Sequence, residues 1–161
     1  MLSRVADHLY WMSRFLERAE HTARLIDVQL HLMLDQSPAA AEARWRRVVE
    51  SLYGPMPNDE AAFGISQYLS SDPDNANSLL NCVANARENA RQLREHISSE
   101  MWEQINRLYL QARTHSLADL WRSQPHTFFL PLQRGVYPLP GITRSSKKPQ
   151  EGYQFIHPGP F

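Results

Sequence analysis

Cysteine is almost absent from this chain of 161 residues, because Cys82 is the only one. A single thiol excludes an internal disulfide and a zinc site built from several cysteines, and it suits a protein that works in a reducing compartment. Cys82 itself allows two interpretations, a small buried hydrophobic residue or a reactive thiol, of which the first is the more common.

Net charge is also lacking, because 17 Lys and Arg residues balance 17 Asp and Glu residues. Without an overall electrostatic field the chain has no general attraction to nucleic acid or to an anionic membrane surface, so neither is expected as a partner. The content of 42% hydrophobic and 21% charged residues is that of an ordinary globular protein. Any function that depends on charge must therefore be local.

Long apolar runs are missing as well. Arg4 and Asp7 interrupt the first residues, which therefore lack the apolar core of a signal peptide. No stretch approaches the roughly 20 uninterrupted apolar residues that span a bilayer. We therefore expect a soluble protein located in the cytoplasm.

The common signatures of catalytic sites are not found in the sequence either. It contains no glycine-rich phosphate loop, no nucleophile-elbow serine and no kinase signature. The histidines follow neither the spacing of di-iron bundles nor that of zinc proteases, although Glu17 and His21 lie one helical turn apart and offer two metal ligands. The sequence therefore predicts no metal and no cofactor, and it identifies no reaction.

Helical periodicity is the dominant feature that is present. Residues 2 to 35 contain no glycine or proline, and their apolar positions recur at alternating steps of four and three, which predicts one long helix. A second stripe at seven-residue spacing predicts that this helix is covered on several sides, and it consists of Trp11, Arg18, Leu25 and Leu32. The main seam consists of Val5, Leu9, Met12, Leu16, Ala19, Ala23, Ile26, Leu30 and Met33.

Further helices follow along the chain. Ser37 and Pro38 are typical of a helix start, and the Gly-Pro-Met-Pro run at 54–57 ends that helix. Residues 58 to 70 predict a short helix that Gly64 weakens. An apolar seam from Leu79 to Leu108 predicts a second long helix that packs against the first and has a kink near Ser98.

The sequence therefore predicts an all-α fold, a helical bundle of four to five helices, within a domain of residues 1–124. Residues 125–161 form a different segment, because seven of the eleven prolines fall there together with glycines and aromatic residues. That spacing of helix breakers predicts an irregular Pro-rich C-terminal tail. Its aromatic residues favour loose packing over the apolar helix surface rather than a disordered linker.

Several arginines are candidates for binding an anion. Arg18 lies in an otherwise apolar stripe, so its guanidinium either reaches water along its own methylenes or is buried against a carboxylate, a carbonyl or a ligand. Arg87, Arg91 and Arg94 have the spacing of one helix face, which is either a solvated, salt-bridged surface or a cluster for phosphate or carboxylate. The sequence leaves both pairs of alternatives open.

Three stretches of the sequence resemble a known family. Residues 1–20 read MLSRVADHLYWMSRFLERAE, residues 86–95 read ARENARQLRE, and residues 97–106 read ISSEMWEQIN. They are similar to the alpha-E domain, a bacterial all-helical family named for a Glu-Arg motif, which corresponds to Glu17 and Arg18. The resemblance covers about the first 120 residues.

The resemblance also implies that the chain is a truncated N-terminal half of the family domain. Family members are about twice as long and carry a second Glu-Arg motif after a Gly-Trp-x-Phe-like run. Residues 151–161, EGYQFIHPGPF, resemble that run, but Pro158 and Pro160 stand where the helix would continue. A lone half of the domain also makes a homo-oligomer plausible.

The family resemblance implies a functional context. Such proteins are typically encoded beside, or fused to, circularly permuted ATP-grasp ligases and transglutaminase-like proteins, which suggests a role in peptide or amide bond formation. The expected function is a non-catalytic accessory protein that docks on the ligase, with Arg18, Arg87, Arg91 and Arg94 recognising anionic groups. The alternative is an enzyme, or the relic of one, in which Glu17 acts as general acid or base.

Overall fold

A computed structural model of the protein describes residues 2–52 and 54–114. Within these residues the chain forms five helices and no strand: α1 (Leu2–Met33), α2 (Pro38–Ser51), α3 (Ala62–Ser70), α4 (Leu79–Gln92) and α5 (Ser99–Thr114). None of these helices is both long enough and apolar enough to cross a membrane. The all-α prediction is confirmed, while the predictions for residues 125–161 lie outside the described residues.

The long helix α1 packs mainly on α4, and the two helices run in opposite directions. His8, near the start of α1, contacts Asn89 near the end of α4, whereas Arg18 contacts Asn77 just before α4 begins. The heptad-like seam of α1 is confirmed, because its central positions are buried and its ends are partly buried. The buried positions are Met12, Leu16, Ala19, Ala23, Ile26 and Leu30.

The second stripe of α1 is not covered as predicted. Trp11 is 42% exposed and Leu32 is 38% exposed, and Tyr10 and Val28 beside them are exposed as well. Arg18 and Leu25 in the middle of the stripe are partly buried, so the stripe is covered in its middle and exposed at its two ends. We call Tyr10, Trp11, Val28 and Leu32 the outer face of α1.

Helices α2 and α3 close the side of the core that α4 leaves open. The Ser37 hydroxyl accepts a hydrogen bond from the backbone N–H of Ala40, and Pro38 occupies the first turn of α2, as the sequence predicts. Trp45 is fully buried, and its indole N–H donates to the Sδ atom of Met33 at 3.1 Å. This contact ties α2 to the end of α1.

The prediction of one helix from Leu79 to Leu108 is wrong. Helix α4 ends at Gln92, and α5 begins at Ser99, with a turn between them that lets α5 pack back on α4. The hydroxyl of Ser98 accepts a hydrogen bond from the backbone N–H of Met101, so Ser98 starts a new helix. Both halves of the seam are buried, and for that reason the apolar pattern did not reveal the turn.

Gly64 in α3 is required by close packing. It is buried, and a Cβ atom at this position would lie 2.5 Å from the backbone oxygen of Asp59. The Asp59 carboxylate is itself held, because it accepts the backbone N–H of Ala61 at 3.0 Å. The glycine that weakens this helix in isolation therefore allows the preceding loop to pack on it.

We expect Gly64→Ala to lower the free energy of unfolding by about 1 to 3 kcal/mol, because overpacking against backbone outweighs the better helix propensity of alanine. Denaturant unfolding followed by circular dichroism measures this change. Gly54→Ala is the matched control, since a Cβ there would meet, among the described residues, only the Tyr68 hydroxyl, at 3.6 Å. Equal stability of both variants and the wild type would contradict this account of α3.

Candidate functional site

Arg18 has a defined partner on a distant part of the chain. Its Nη1 atom donates a hydrogen bond to the Oδ1 atom of Asn77 at 2.8 Å, and its guanidinium lies 5.9 Å from the centre of the Phe15 ring. The side chain is neither fully buried nor extended into water. The group that replaces water at the Arg18 guanidinium is thus an amide carbonyl, one of the alternatives that the sequence left open.

A loop held by asparagine side chains places Asn77 beside Arg18. The buried Asn75 donates through Nδ2 to the backbone oxygen of Tyr68 at 2.9 Å and accepts the backbone N–H of Asn77 at 3.0 Å. The Nδ2 atom of Asn81 donates to the Asn75 backbone oxygen at 2.9 Å. Sequence analysis missed these residues, although three asparagines so close to a predicted helix start are typical of a structured turn.

Arg18 lines two cavities. They have volumes of about 250 and 300 Å³ and share Arg18, Thr22 and Leu52 as lining residues. The first cavity is also lined by Arg14, Glu17, His21 and Leu25. The second is also lined by Val49, Gly54, Pro55, Tyr68, Leu69, Asn75 and Asn77. We call the two cavities together the Arg18 groove.

The charge of Arg18 is not neutralised by the described part of the chain. Among residues 2–52 and 54–114, no carboxylate oxygen lies within 4.0 Å of its guanidinium. The neighbouring Glu17 is exposed and pairs with Arg14 at 3.0 Å. The first cavity therefore contains one compensated pair and one guanidinium whose only close oxygen partner, within the described part of the chain, is a neutral amide.

Two weak acids border Arg18 and its groove. Burial raises the pKa of the Cys82 thiol to about 11, while the charge of Arg18 and its hydrogen bond to the thiol act in the opposite direction. Burial also raises the pKa of the Tyr68 hydroxyl, and the negative charge of Asp72 raises it further. At neutral pH the thiol is therefore a buried neutral group, and the phenol is a hydrogen-bond donor.

The other three candidate arginines do not all lie on one helix. Arg94 lies two residues beyond Gln92, the last residue of α4, so the helical spacing that grouped it with Arg87 and Arg91 does not apply. The guanidinium of Arg91 pairs with the Glu88 carboxylate at 2.7 Å, which matches the salt-bridged alternative. Arg94 instead lies over the ring of Trp102, 5.9 Å from its centre.

Arg87 joins α4 to α5. Its Nε atom donates to the Oδ1 atom of Asn106 at 2.7 Å, and its guanidinium lies over the rings of Trp102 and Tyr109, at 5.6 and 4.9 Å from their centres. A planar guanidinium stacked between helices in this way stabilises their packing. Of the four candidate arginines, Arg18 is the one that lines both cavities.

The remaining metal hypothesis finds no support in the geometry. Among the described residues, no group of three or more His, Cys, Asp or Glu side chains is placed to hold a metal ion. Glu17 and His21 do line the same cavity, but Glu17 is engaged with Arg14.

The fold and the site define an α-helical domain that carries adjacent Glu and Arg residues on its first helix. The family model Alpha-E, described as a predicted alpha-helical domain with a conserved ER motif, matches residues 1–161, and the chain therefore belongs to this family. Glu17 and Arg18 form the one Glu-Arg dipeptide in the sequence, so they correspond to the ER motif of the family. Neither the curated proteins nor the solved structures include a significant match.

We expect Arg87→Ala to lower the free energy of unfolding by about 1 to 3 kcal/mol, because it removes two ring contacts and leaves the Asn106 oxygen without its donor. Thermal and denaturant unfolding measure the loss. Arg91→Ala is the control, since an exposed pair at i,i+3 contributes only about 0.5 kcal/mol. A larger loss for Arg91→Ala than for Arg87→Ala would contradict the assigned roles.

Cys82 predicts a specific pH dependence. Its pKa in the folded protein, about 11, lies above the ordinary value of 9.0, so the folded state holds the proton more tightly than the unfolded state. The corresponding stability is present below pH 9 and is lost as the pH rises through 11. We expect the stability difference between wild type and Cys82→Ala to shrink over this range by on the order of 2 kcal/mol. A stability difference between wild type and Cys82→Ala that stays constant from pH 8 to 11 would refute the raised pKa of the Cys82 thiol.

Proposed function

We propose that this protein is a non-catalytic helical accessory protein that docks on an ATP-grasp peptide or amide ligase through the outer face of α1. The observation that carries the proposal is the exposure of large apolar side chains on a helix whose opposite side is fully packed. Tyr10 is 57% exposed and Val28 is 46% exposed, and both lie on this face. Tyr10 and Trp11 adjoin one another near the start of α1, and Val28 and Leu32 lie one turn apart near its end. Exposed apolar side chains grouped in this way mark an interaction site.

The aromatic end of this face has the composition of a protein interface. The rings of Tyr10 and Trp11 meet edge to face with 5.3 Å between their centres, and Trp11 lies 5.9 Å from Phe15. Tyrosine and tryptophan are enriched at interfaces and at the positions that contribute most to binding. Because the rings already support one another, little side-chain entropy is lost when a partner covers them.

The ligase is chosen as partner on the strength of the family resemblance. Proteins similar to this chain are typically encoded beside, or fused to, circularly permuted ATP-grasp ligases, and a fused domain needs a surface that contacts its neighbour. A transglutaminase-like protein has the same kind of association and is the alternative partner in the test.

The site geometry favours an accessory role over catalysis by Glu17. A general base must reach a substrate proton, and the Glu17 carboxylate is exposed and paired with Arg14. The proposal therefore predicts that Glu17→Gln leaves docking intact. A catalytic Glu17 would instead make Glu17→Gln abolish turnover while the complex persists.

Docking can be tested by purifying the tagged full chain from the source cell and identifying the proteins bound to it. We expect an ATP-grasp ligase to copurify with the wild type and to be lost with Trp11→Glu, because a charge in the aromatic part of the outer face must be desolvated on binding. Leu34→Glu is the matched control, since Leu34 is 74% exposed but lies beyond the end of α1.

Three outcomes would contradict this proposal. The first is a set of bound proteins without any ligase or transglutaminase-like protein. The second is equal recovery of the ligase with Trp11→Glu and with wild type, which would place the interface elsewhere. The third is a complex that contains only further copies of this chain, which would make the outer face a homo-oligomer interface.

A further inference from the structure

We infer that the Arg18 groove binds a small carboxylate whose acid group pairs with Arg18 and whose apolar part occupies the second cavity. This inference goes beyond the proposed docking and does not depend on it, because it concerns a small molecule and a different set of residues. It rests on the uncompensated charge of Arg18, the shape of the two cavities and the chemistry of their lining.

The acid group is required by the charge of Arg18. A guanidinium carries five N–H donors, and within the described residues the side chains that accept from Arg18 are the neutral amide of Asn77 and the neutral thiol of Cys82. A half-buried cation without an acidic partner is costly unless an anion accompanies it. The planar guanidinium matches a carboxylate in a paired, two-bond geometry.

The lining favours a carboxylate over a phosphate. Phosphate sites commonly combine several cations with the backbone N–H groups of a helix N-terminus. In the groove the charge of Arg14 is matched by Glu17, which leaves Arg18 as the one guanidinium that has no acidic partner among residues 2–52 and 54–114. The nearby start of α4 is already capped by the Ser78 hydroxyl, which accepts the Asn81 N–H. A single negative charge therefore fits the site best.

The second cavity is suited to an apolar body with one polar group. Val49, Leu52, Pro55 and Leu69 provide apolar walls, and the protonated Tyr68 hydroxyl provides a donor. Its volume of about 300 Å³ lies at the lower end of small-molecule sites. The ligand class is therefore an acylated amino acid or a short peptide end of comparable size.

The inference can be tested with N-acetyl-L-leucine as the probe and its neutral amide, N-acetyl-L-leucinamide, as the matched ligand. Binding to the full chain is measured by NMR titration of backbone and arginine side-chain signals. We expect the acid to bind at least tenfold more tightly than the amide, with the largest shifts at Arg18, Thr22 and Tyr68. Inorganic phosphate at the same concentration is expected to displace neither the acid nor the amide.

Two pairs of variants connect binding to the groove. Arg18→Gln should remove the preference for the acid, whereas Arg107→Gln removes an exposed cation on α5 outside the groove and should not. Because Arg18→Gln can also disturb folding, Leu52→Glu and Leu52→Gln form a second pair at a half-exposed position shared by both cavities. The Glu variant should repel the acid, so its affinity for N-acetyl-L-leucine should be at least fivefold lower than that of the Gln variant.

Several results would overturn the inference. Equal binding of the acid and the amide, or no binding of either, would show that the groove does not recognise a carboxylate. Displacement of the probe by inorganic phosphate would assign the groove to a different anion. Unchanged binding by both Arg18→Gln and Leu52→Glu would place the ligand elsewhere. Trp11→Glu should leave probe binding unchanged, so that failure of the docking proposal and failure of this one are distinguishable.

Discussion

The packing of α1 against α4 buries an almost continuous row of small and apolar side chains on both helices, and the rest of the structure depends on it. Ala19 and Ala23 on α1 and Ala86 and Ala90 on α4 are all buried, and residues of this size allow two helices to approach closely. The antiparallel arrangement brings the middle of α1 to the beginning of α4. Arg18 consequently meets Asn77 and Cys82, which are distant from it in the sequence.

The parts of the fold that local periodicity controls were predictable from the sequence. The burial pattern of α1 and the capped start of α2 at Ser37 follow from residue spacing and from one side-chain hydrogen bond. The turn between α4 and α5 was not predictable in this way, because Leu93 before it and Met101 after it are both buried. A buried seam continues through such a turn, and only the capping role of Ser98 marks the break.

The candidate site was predictable only in part. The Glu-Arg motif identified Arg18, but its partner Asn77 lies 59 positions away and belongs to a loop without periodicity. The spacing of Arg87, Arg91 and Arg94 predicted a common face, because it presumed a helix that in fact ends before Arg94. Tertiary contacts then separate the roles of arginines that look equivalent in sequence, since Arg87 stacks on aromatic rings and Arg91 pairs with Glu88.

The Arg18 groove and the outer face of α1 are not independent surfaces. Trp11, Arg18, Leu25 and Leu32 are spaced by seven residues, so on a straight helix they form one strip, and Arg18 and Leu25 in its middle line the first cavity. A partner that covers the outer face would therefore contact the rim of the groove. If both proposals hold, partner and carboxylate affect each other's affinity by the same factor, because linkage between two sites on one protein is reciprocal. A ligase docked in this position would then respond to the presence of a carboxylate, which is the chemical class that ATP-dependent amide ligation consumes.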